Sequence, residues 1–175
     1  DALTEWLTEI WAADELEAVG PKPRQKALFT GPPGGGKTTL AHHLAARLKL
    51  PLVNVRSDRL IDAYIGSTGR NIGGLFDLAA ASEKVVLFID EFDSLGLKRR
   101  KAQQGAEDER NSSVNTLLQR MENYDGFLIA ASNMADAIDE AIWRRFDIQI
   151  TIALPGQGER ERILARYLVP YKLPS

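Results

Sequence analysis

Apolar residues recur along this chain in two rhythms. Leu3, Trp6, Leu7, Ile10 and Trp11 fall at helical spacing within 3–16, which predicts a helix whose apolar face packs on the rest of the domain, the alternative being a helix that docks on a neighbouring subunit or a further segment. Gly20, Pro21 and Pro23 end it, and Ala27-Leu28-Phe29 starts the second rhythm, that of short apolar runs of strand length. Further runs at 52–55, 85–89, 127–131 and 148–152 are separated by helix-like stretches at 38–49, 70–84, 109–123 and 138–145, with one more helix over 157–168. In the first of these stretches Ala41, Leu44, Ala45 and Leu48 share one side. Strands alternating with helix-length connections predict parallel pairing with helices on both faces of the sheet. The expected fold is a single α/β domain of about five strands. Residues 98–110 break the rhythm, being charged and without an apolar face, and read as a solvated loop.

Composition narrows the chemistry. With 175 residues the chain suits one domain, and with no cysteine it has neither a disulfide framework nor a thiol nucleophile nor a Cys-based zinc site. The only histidines, His42 and His43, are adjacent and read as surface or packing residues on a helix. Lys and Arg total 22 against 24 Asp and Glu, so net charge gives no case for binding nucleic acid or an acidic membrane. No apolar run approaches the ~20 residues that span a bilayer, and a soluble cytoplasmic domain is expected. The sequence opens at Asp1 without methionine, as part of a longer chain would.

Gly31-Pro32-Pro33-Gly34-Gly35-Gly36-Lys37-Thr38 satisfies the phosphate-loop pattern G-x-x-x-x-G-K-[ST], and Thr39 follows it into the helix. The motif leaves an apolar strand and opens a helix, as its mechanism requires. Glycines let backbone N–H groups close around phosphate, and the helix N-terminus favours an anion. Lys37 is then the cation for the outer phosphates, and the Thr38 hydroxyl a ligand for Mg²⁺. The run 85–89 ends in Asp90-Glu91, at the carboxyl end of an expected central strand where such sheets bind ligands. Asp90 is the candidate second Mg²⁺ ligand and Glu91 the candidate base for the attacking water. Together these motifs predict a P-loop protein that binds a nucleoside triphosphate with Mg²⁺; which nucleotide is left to the resemblance that follows, which implies ATP.

From about Gln25 to Arg166 the chain resembles the AAA+ ATPases, in particular the clade that remodels or unfolds proteins. GPPGGGKT is similar to that family's GPPGTGKT and departs only at Gly35, and LFIDEFDSL resembles its second nucleotide motif. The resemblance implies that Asn133, after the strand FLIAAS, is the polar sensor orienting the water. It also implies that Arg144 and Arg145, before Phe146-Asp147, reach the nucleotide of a neighbouring subunit in a homo-oligomeric ring, a hexamer, with Arg145 slightly preferred. A guanidinium fork fits the charge spread over a transferring phosphoryl group, which is the physical case for these arginines.

Tyr64-Ile65-Gly66 resembles the aromatic–aliphatic–glycine triplet lining the pore of the family's protein-translocating members. An aromatic ring grips unfolded chain with little sequence preference, so the implied substrate is a polypeptide. Residues 99–105 fall where a second pore loop would lie, Asn54 is a candidate polar contact for Glu91, and Asp125-Gly126 before Phe127 reads as a turn. The expected organisation is a helix and linker at 1–24, the nucleotide-binding core at 25–156, and at 157–175 the start of a helical lid truncated in this sequence. The alternatives are an AAA+ protein acting on DNA, against which the neutral charge and the Tyr64 triplet count, and a P-loop kinase or non-hydrolysing scaffold, against which Asp90-Glu91, Asn133 and the arginines count.

Overall fold

The computed structural model describes residues 2–12, 24–61, 67–82, 84–95 and 106–168. Among these the chain forms α1 (Ala2–Trp11), β1 (Lys26–Thr30), α2 (Lys37–Leu48), β2 (Leu52–Arg56), α3 (Ser67–Ala81), β3 (Val86–Asp90), α4 (Ala106–Asn123), β4 (Phe127–Ser132), α5 (Glu140–Trp143), β5 (Ile148–Thr151) and α6 (Gln157–Leu168). The strands pair in the order β2-β3-β4-β1-β5, and every ladder is parallel. This is the α/β sheet of a P-loop NTPase, with β4 inserted between the strand that feeds the phosphate loop and the strand that ends in Asp90.

The near-continuous apolar runs of the central strands follow from burial on both faces. Leu87 and Ile89 of β3, Leu128 and Ala130 of β4 and Leu28 of β1 point to one side, where Ile72 and Phe76 of α3 and Val114, Leu117 and Met121 of α4 pack on them. Val86 and Phe88, Ile129 and Ala131, and Ala27 and Phe29 point to the other, under Ala41, Leu44 and Ala45 of α2 and Trp6 and Ile10 of α1. Phe29 and Phe88 are fully buried, each worth about 1.5–3 kcal/mol relative to an exposed ring. The edge strand β2 keeps only partial burial.

α1 is a packing helix, as its pattern predicts. Trp6 is buried, and its indole Nε1 donates to the Arg24 carbonyl at 2.7 Å. Four elements differ from the sequence expectation. α1 ends at Trp11, short of the expected 16, and 13–16 lie outside the described residues. α3 begins at Ser67 and ends at Ala81, earlier at both ends than 70–84. α4 begins at Ala106, within the segment expected to be loop, although 98–105 lies outside the described residues. The helix expected at 138–145 is the single turn α5, capped by Asp139, whose carboxylate accepts from the Ala141 N–H at 2.9 Å. α6 buries none of its residues, and Ile163, Leu164, Tyr167 and Leu168 are exposed.

Candidate functional site: a nucleotide cradle at the carboxyl edge of the sheet

β1 ends at Thr30, and the next residue turns back against the chain that leaves β5. Gly31 has φ +139°, and a Cβ there would lie 2.0 Å from the Ile152 carbonyl oxygen, so neither the backbone nor the space admits a side chain. Gly34 and Gly36 also have positive φ, at 80° and 91°. The chain thereby wraps into a loop and delivers Lys37, Thr38 and Thr39 as the first turn of α2, whose N–H groups have no partner within the helix. Their free N–H groups and the helix dipole favour an anion at this point.

Lys37 is buried, and its ammonium donates to the carbonyls of Gly31 at 2.7 Å and Pro32 at 2.9 Å. Burial lowers its pKa from the ordinary lysine value, and the Asp90 and Asp93 carboxylates oppose that shift. The Lys37 cation thus spans the loop from within, facing acidic groups on β3 and beyond.

The Thr38 hydroxyl donates to Asp90 Oδ2 at 3.1 Å, which joins the two nucleotide motifs across 52 residues of sequence. Asp90 Oδ1 accepts the Glu91 N–H at 2.9 Å, and the Asp90 carbonyl accepts the buried Ser57 hydroxyl at 2.9 Å. A hydroxyl and a carboxylate brought together beside a phosphate cradle are the hard oxygen donors that Mg²⁺ takes alongside nucleotide phosphates, so Thr38 and Asp90 fit that ion. Glu91 has φ 55° and ψ 39°, a left-handed conformation rare outside glycine, Asn and Asp. Its carboxylate lies 3.6 Å from the Arg56 guanidinium.

Register completes the edge. Thr30 pairs with Ser132, so Asn133 emerges beside the phosphate loop, between it and Asp90-Glu91. The Asn133 side chain is exposed, and its backbone N–H donates to Asp93 Oδ1 at 3.3 Å. Gly31 to Thr39, Asp90, Glu91 and Asn133 therefore share one end of the sheet.

Arg144 and Arg145 do not share it. Their turn leads into β5 at the amino edge, where the Asp147 N–H donates to the Lys26 carbonyl at 2.9 Å. β1 separates Lys26 from Thr30 by about 13 Å at a rise of ~3.3 Å per residue. Arg144 pairs with exposed Glu140 one turn back, its one ion-pair partner among the described residues, and its side chain is 70% exposed. Arg145 is 37% exposed, meets Glu122 at 2.6 Å, and has a buried Nε without a hydrogen-bond partner among the described residues. An open cleft of about 360 Å³ lies beside it, with Glu122, Tyr124 and Asp147 among its walls.

Tyr64, Ile65, Gly66 and residues 99–105 lie outside the described residues. No hydrogen bond joins Asn54 to Glu91 among the described residues; Asn54 is exposed, and the basic group beside Glu91 is Arg56, which pairs in register with Asp90. Arg56 and Asp93 were not singled out in the sequence. Their signals are a charge at the last position of a strand and a further acid three residues beyond Asp90. His42 and His43 are exposed on α2, as expected.

The model of the ATPase family associated with various cellular activities (AAA) matches residues 27–154. The chain belongs to this family. Among its relatives, a Sinorhizobium fredii protein named as an uncharacterized AAA family ATPase, y4kL, is 48% identical over 143 residues, covering 81% of this chain and 42% of that protein. An ATP-dependent zinc metalloprotease FtsH of Lachnoclostridium phytofermentans is 36% identical over 160 residues, covering 88% of this chain and 28% of the relative. A protein of the same name from Heterosigma akashiwo is 36% identical over 167 residues, covering 92% and 25%. The chain thus spans less than half the length of these relatives. The AAA ATPase domain here has no helix among its described residues long and apolar enough to cross a membrane.

Proposed function

We propose that this domain hydrolyses ATP as the motor of a ring-shaped homo-oligomer that remodels, unfolds or translocates a protein substrate. The hydrolysis reading is carried by the Thr38–Asp90 contact, which unites phosphate loop and acidic strand end in one cradle. Lys37 leaves the Gly31 and Pro32 carbonyls for the β- and γ-phosphates, and the α2 N-terminus receives their charge. Mg²⁺ held through Thr38 and Asp90 supplies neutralisation of charge on those phosphates. Glu91 takes the proton of a water that Asn133 orients; the water oxygen bonds to the γ-phosphorus as the β–γ bridging oxygen leaves with ADP.

Assembly is supported by the position of the arginines. Arg144 and Arg145 stand at the edge remote from their own phosphate loop, so a role in phosphoryl transfer needs a neighbour's nucleotide. Polypeptide as substrate is supported by the Tyr64-Ile65-Gly66 triplet and by relatives named as FtsH proteases.

The test is ATPase rate against concentration in the full-length protein, with and without an unfolded polypeptide. Specific activity is expected to rise with concentration and with polypeptide. Glu91→Gln should bind ATP but turn over about 10²–10⁴-fold more slowly, Lys37→Ala should lose ATP affinity, and Tyr64→Ala should spare basal hydrolysis while stopping remodelling. Full specific activity in dilute monomer would refute the ring. Unchanged turnover in Glu91→Gln would remove Glu91 from its role.

A further inference from the structure

We propose that Asp93 is a positioning residue for Asn133, holding the turn that presents the sensor side chain to the attacking water. The proposal rests on the reading of Asn133 as the water-orienting group. The β3–β4 ladder has its last pair at Ile89 and Ala130, two residues short of Ser132. Beyond that point no backbone pairing joins the strand end carrying Asp90 to the one carrying Asn133, and the Asp93 carboxylate takes over. Its Oδ1 accepts the Ser132 hydroxyl at 2.8 Å and the Asn133 N–H at 3.3 Å. Ser132 Oγ in turn accepts the Met134 N–H at 3.0 Å, so one carboxylate oxygen organises three consecutive residues.

The support is itself fixed. Asp93 sits in the 3-10 turn Phe92–Ser94 directly after Glu91, and the Ser94 N–H donates to the Glu91 carbonyl at 3.0 Å. Phe92 is fully buried and meets Phe146 edge to face at 5.5 Å, which pins the turn to the core. Ser132 is 1% exposed, so a hydroxyl left without Asp93 would be a buried donor with no acceptor in place. Base and sensor are thus referred to the same rigid turn, Glu91 through the chain and Asn133 through Asp93. A water held between two groups requires their separation to be fixed, because small misplacements of catalytic groups cost orders of magnitude in rate.

The experiment compares kcat, KM for ATP and melting temperature of the full-length protein in Asp93→Ala, Asp93→Asn, Ser132→Ala, Asn133→Ala and the Asp93→Ala/Asn133→Ala double variant. Asp93→Ala is expected to lower kcat about 10- to 100-fold, the usual cost of losing a group that orients another, with KM nearly unchanged. Asp93→Asn should recover most of that loss, because a carboxamide oxygen accepts the same two bonds. Ser132→Ala, which leaves the Asn133 N–H bond intact, should fall between wild type and Asp93→Ala. The double variant should be no slower than Asn133→Ala alone. Multiplying losses in the double variant, or Asp93→Asn as slow as Asp93→Ala, would overturn the proposal. So would a wild-type kcat in Asp93→Ala while Asn133→Ala is slow. A wild-type kcat in Asn133→Ala would instead remove the sensor reading, and this proposal with it.

Discussion

The two ends of the sheet are both rich in charge and polar groups, yet they are built on opposite plans. At the carboxyl edge, polar groups make bonds that a ligand can replace. The Lys37 ammonium rests on loop carbonyls, Thr38 on Asp90, and Gly31, Gly34, Gly36 and Glu91 all hold positive φ. At the amino edge, charges are closed on one another. Asp147 Oδ2 accepts the N–H groups of Gln25 and Lys26 at 3.0 and 2.9 Å, Arg24 is bonded to Glu9, and Arg145 to Glu122. Strain and replaceable bonds mark a reaction centre, whereas mutual saturation marks a structural seam. Arg144 is the main exception at the amino edge, a guanidinium whose ion-pair partner among the described residues is one exposed carboxylate, and Arg145 keeps a buried Nε unpaired among those residues.

That exception yields the largest expected effect. If the proposed ring forms, Arg144→Ala should lower turnover of the full-length protein by about 10³, near the lower figure for phosphoryl-transfer arginines, without moving the melting temperature. Arg145→Ala should lower turnover less and cost about 1 kcal/mol of stability, because its charge is engaged by Glu122. Mixing Arg144→Ala subunits with Glu91→Gln subunits should restore part of the activity, since each supplies what the other lacks. Equal losses from both arginines with no complementation would erase the distinction between them.

The next effect tests strain at the carboxyl edge. Gly31→Ala meets both a forbidden φ and a backbone oxygen 2.0 Å from the new Cβ, and should cost about 3 kcal/mol, read from the denaturant midpoint. Gly34→Ala, at φ +80° with open space around it, should cost about 1 kcal/mol. Similar losses at both positions would mean that the approach to Ile152 relaxes, and that the loop is less constrained than the amino edge by comparison.

Sequence alone revealed the carboxyl edge far better than the amino edge, for a physical reason. The phosphate loop and Asp90-Glu91 are contiguous motifs, and the strands bearing them read as apolar runs because both faces are covered. Asp93 acquires meaning only through Ser132, 39 residues away, and Arg145 only through Glu122, so their roles depend on strand order that no local pattern encodes. Helix limits slipped for similar reasons. The stretch of α3 missed at its start carries Gly69, which argues against a helix locally. A Cβ at Gly73 would approach Arg120 Nη2 at 3.1 Å, so the glycine permits close packing of α3 on α4. α5 stops after one turn because the chain must bury Phe146 and enter β5 at Ile148. Tyr64 is legible only by resemblance.

The smallest effect asks whether the amino-edge seam is structural alone. Arg24 Nε donates to Glu9 Oε2 at 2.7 Å, tying α1 to the chain entering β1. The hydrogen bond from Arg24 holds the Glu9 carboxyl below the ordinary glutamate value, and burial opposes it. As pH falls, the unfolded chain therefore takes up the proton before the folded one does. The pair's contribution is complete above the unfolded glutamate pKa of about 4.3, and it fades as pH drops through the lower folded value. Both side chains are 34% exposed, so Glu9→Gln should cost under about 1 kcal/mol at pH 7, less in high salt, and nothing once the carboxyl is protonated in both states. A difference that persisted in acid would mean that Glu9 acts through packing beside Trp6 and not through its charge. A fall in ATPase rate in Glu9→Gln at neutral pH, with ATP affinity intact, would show that the seam participates in the motor, and the contrast between the two edges would no longer hold.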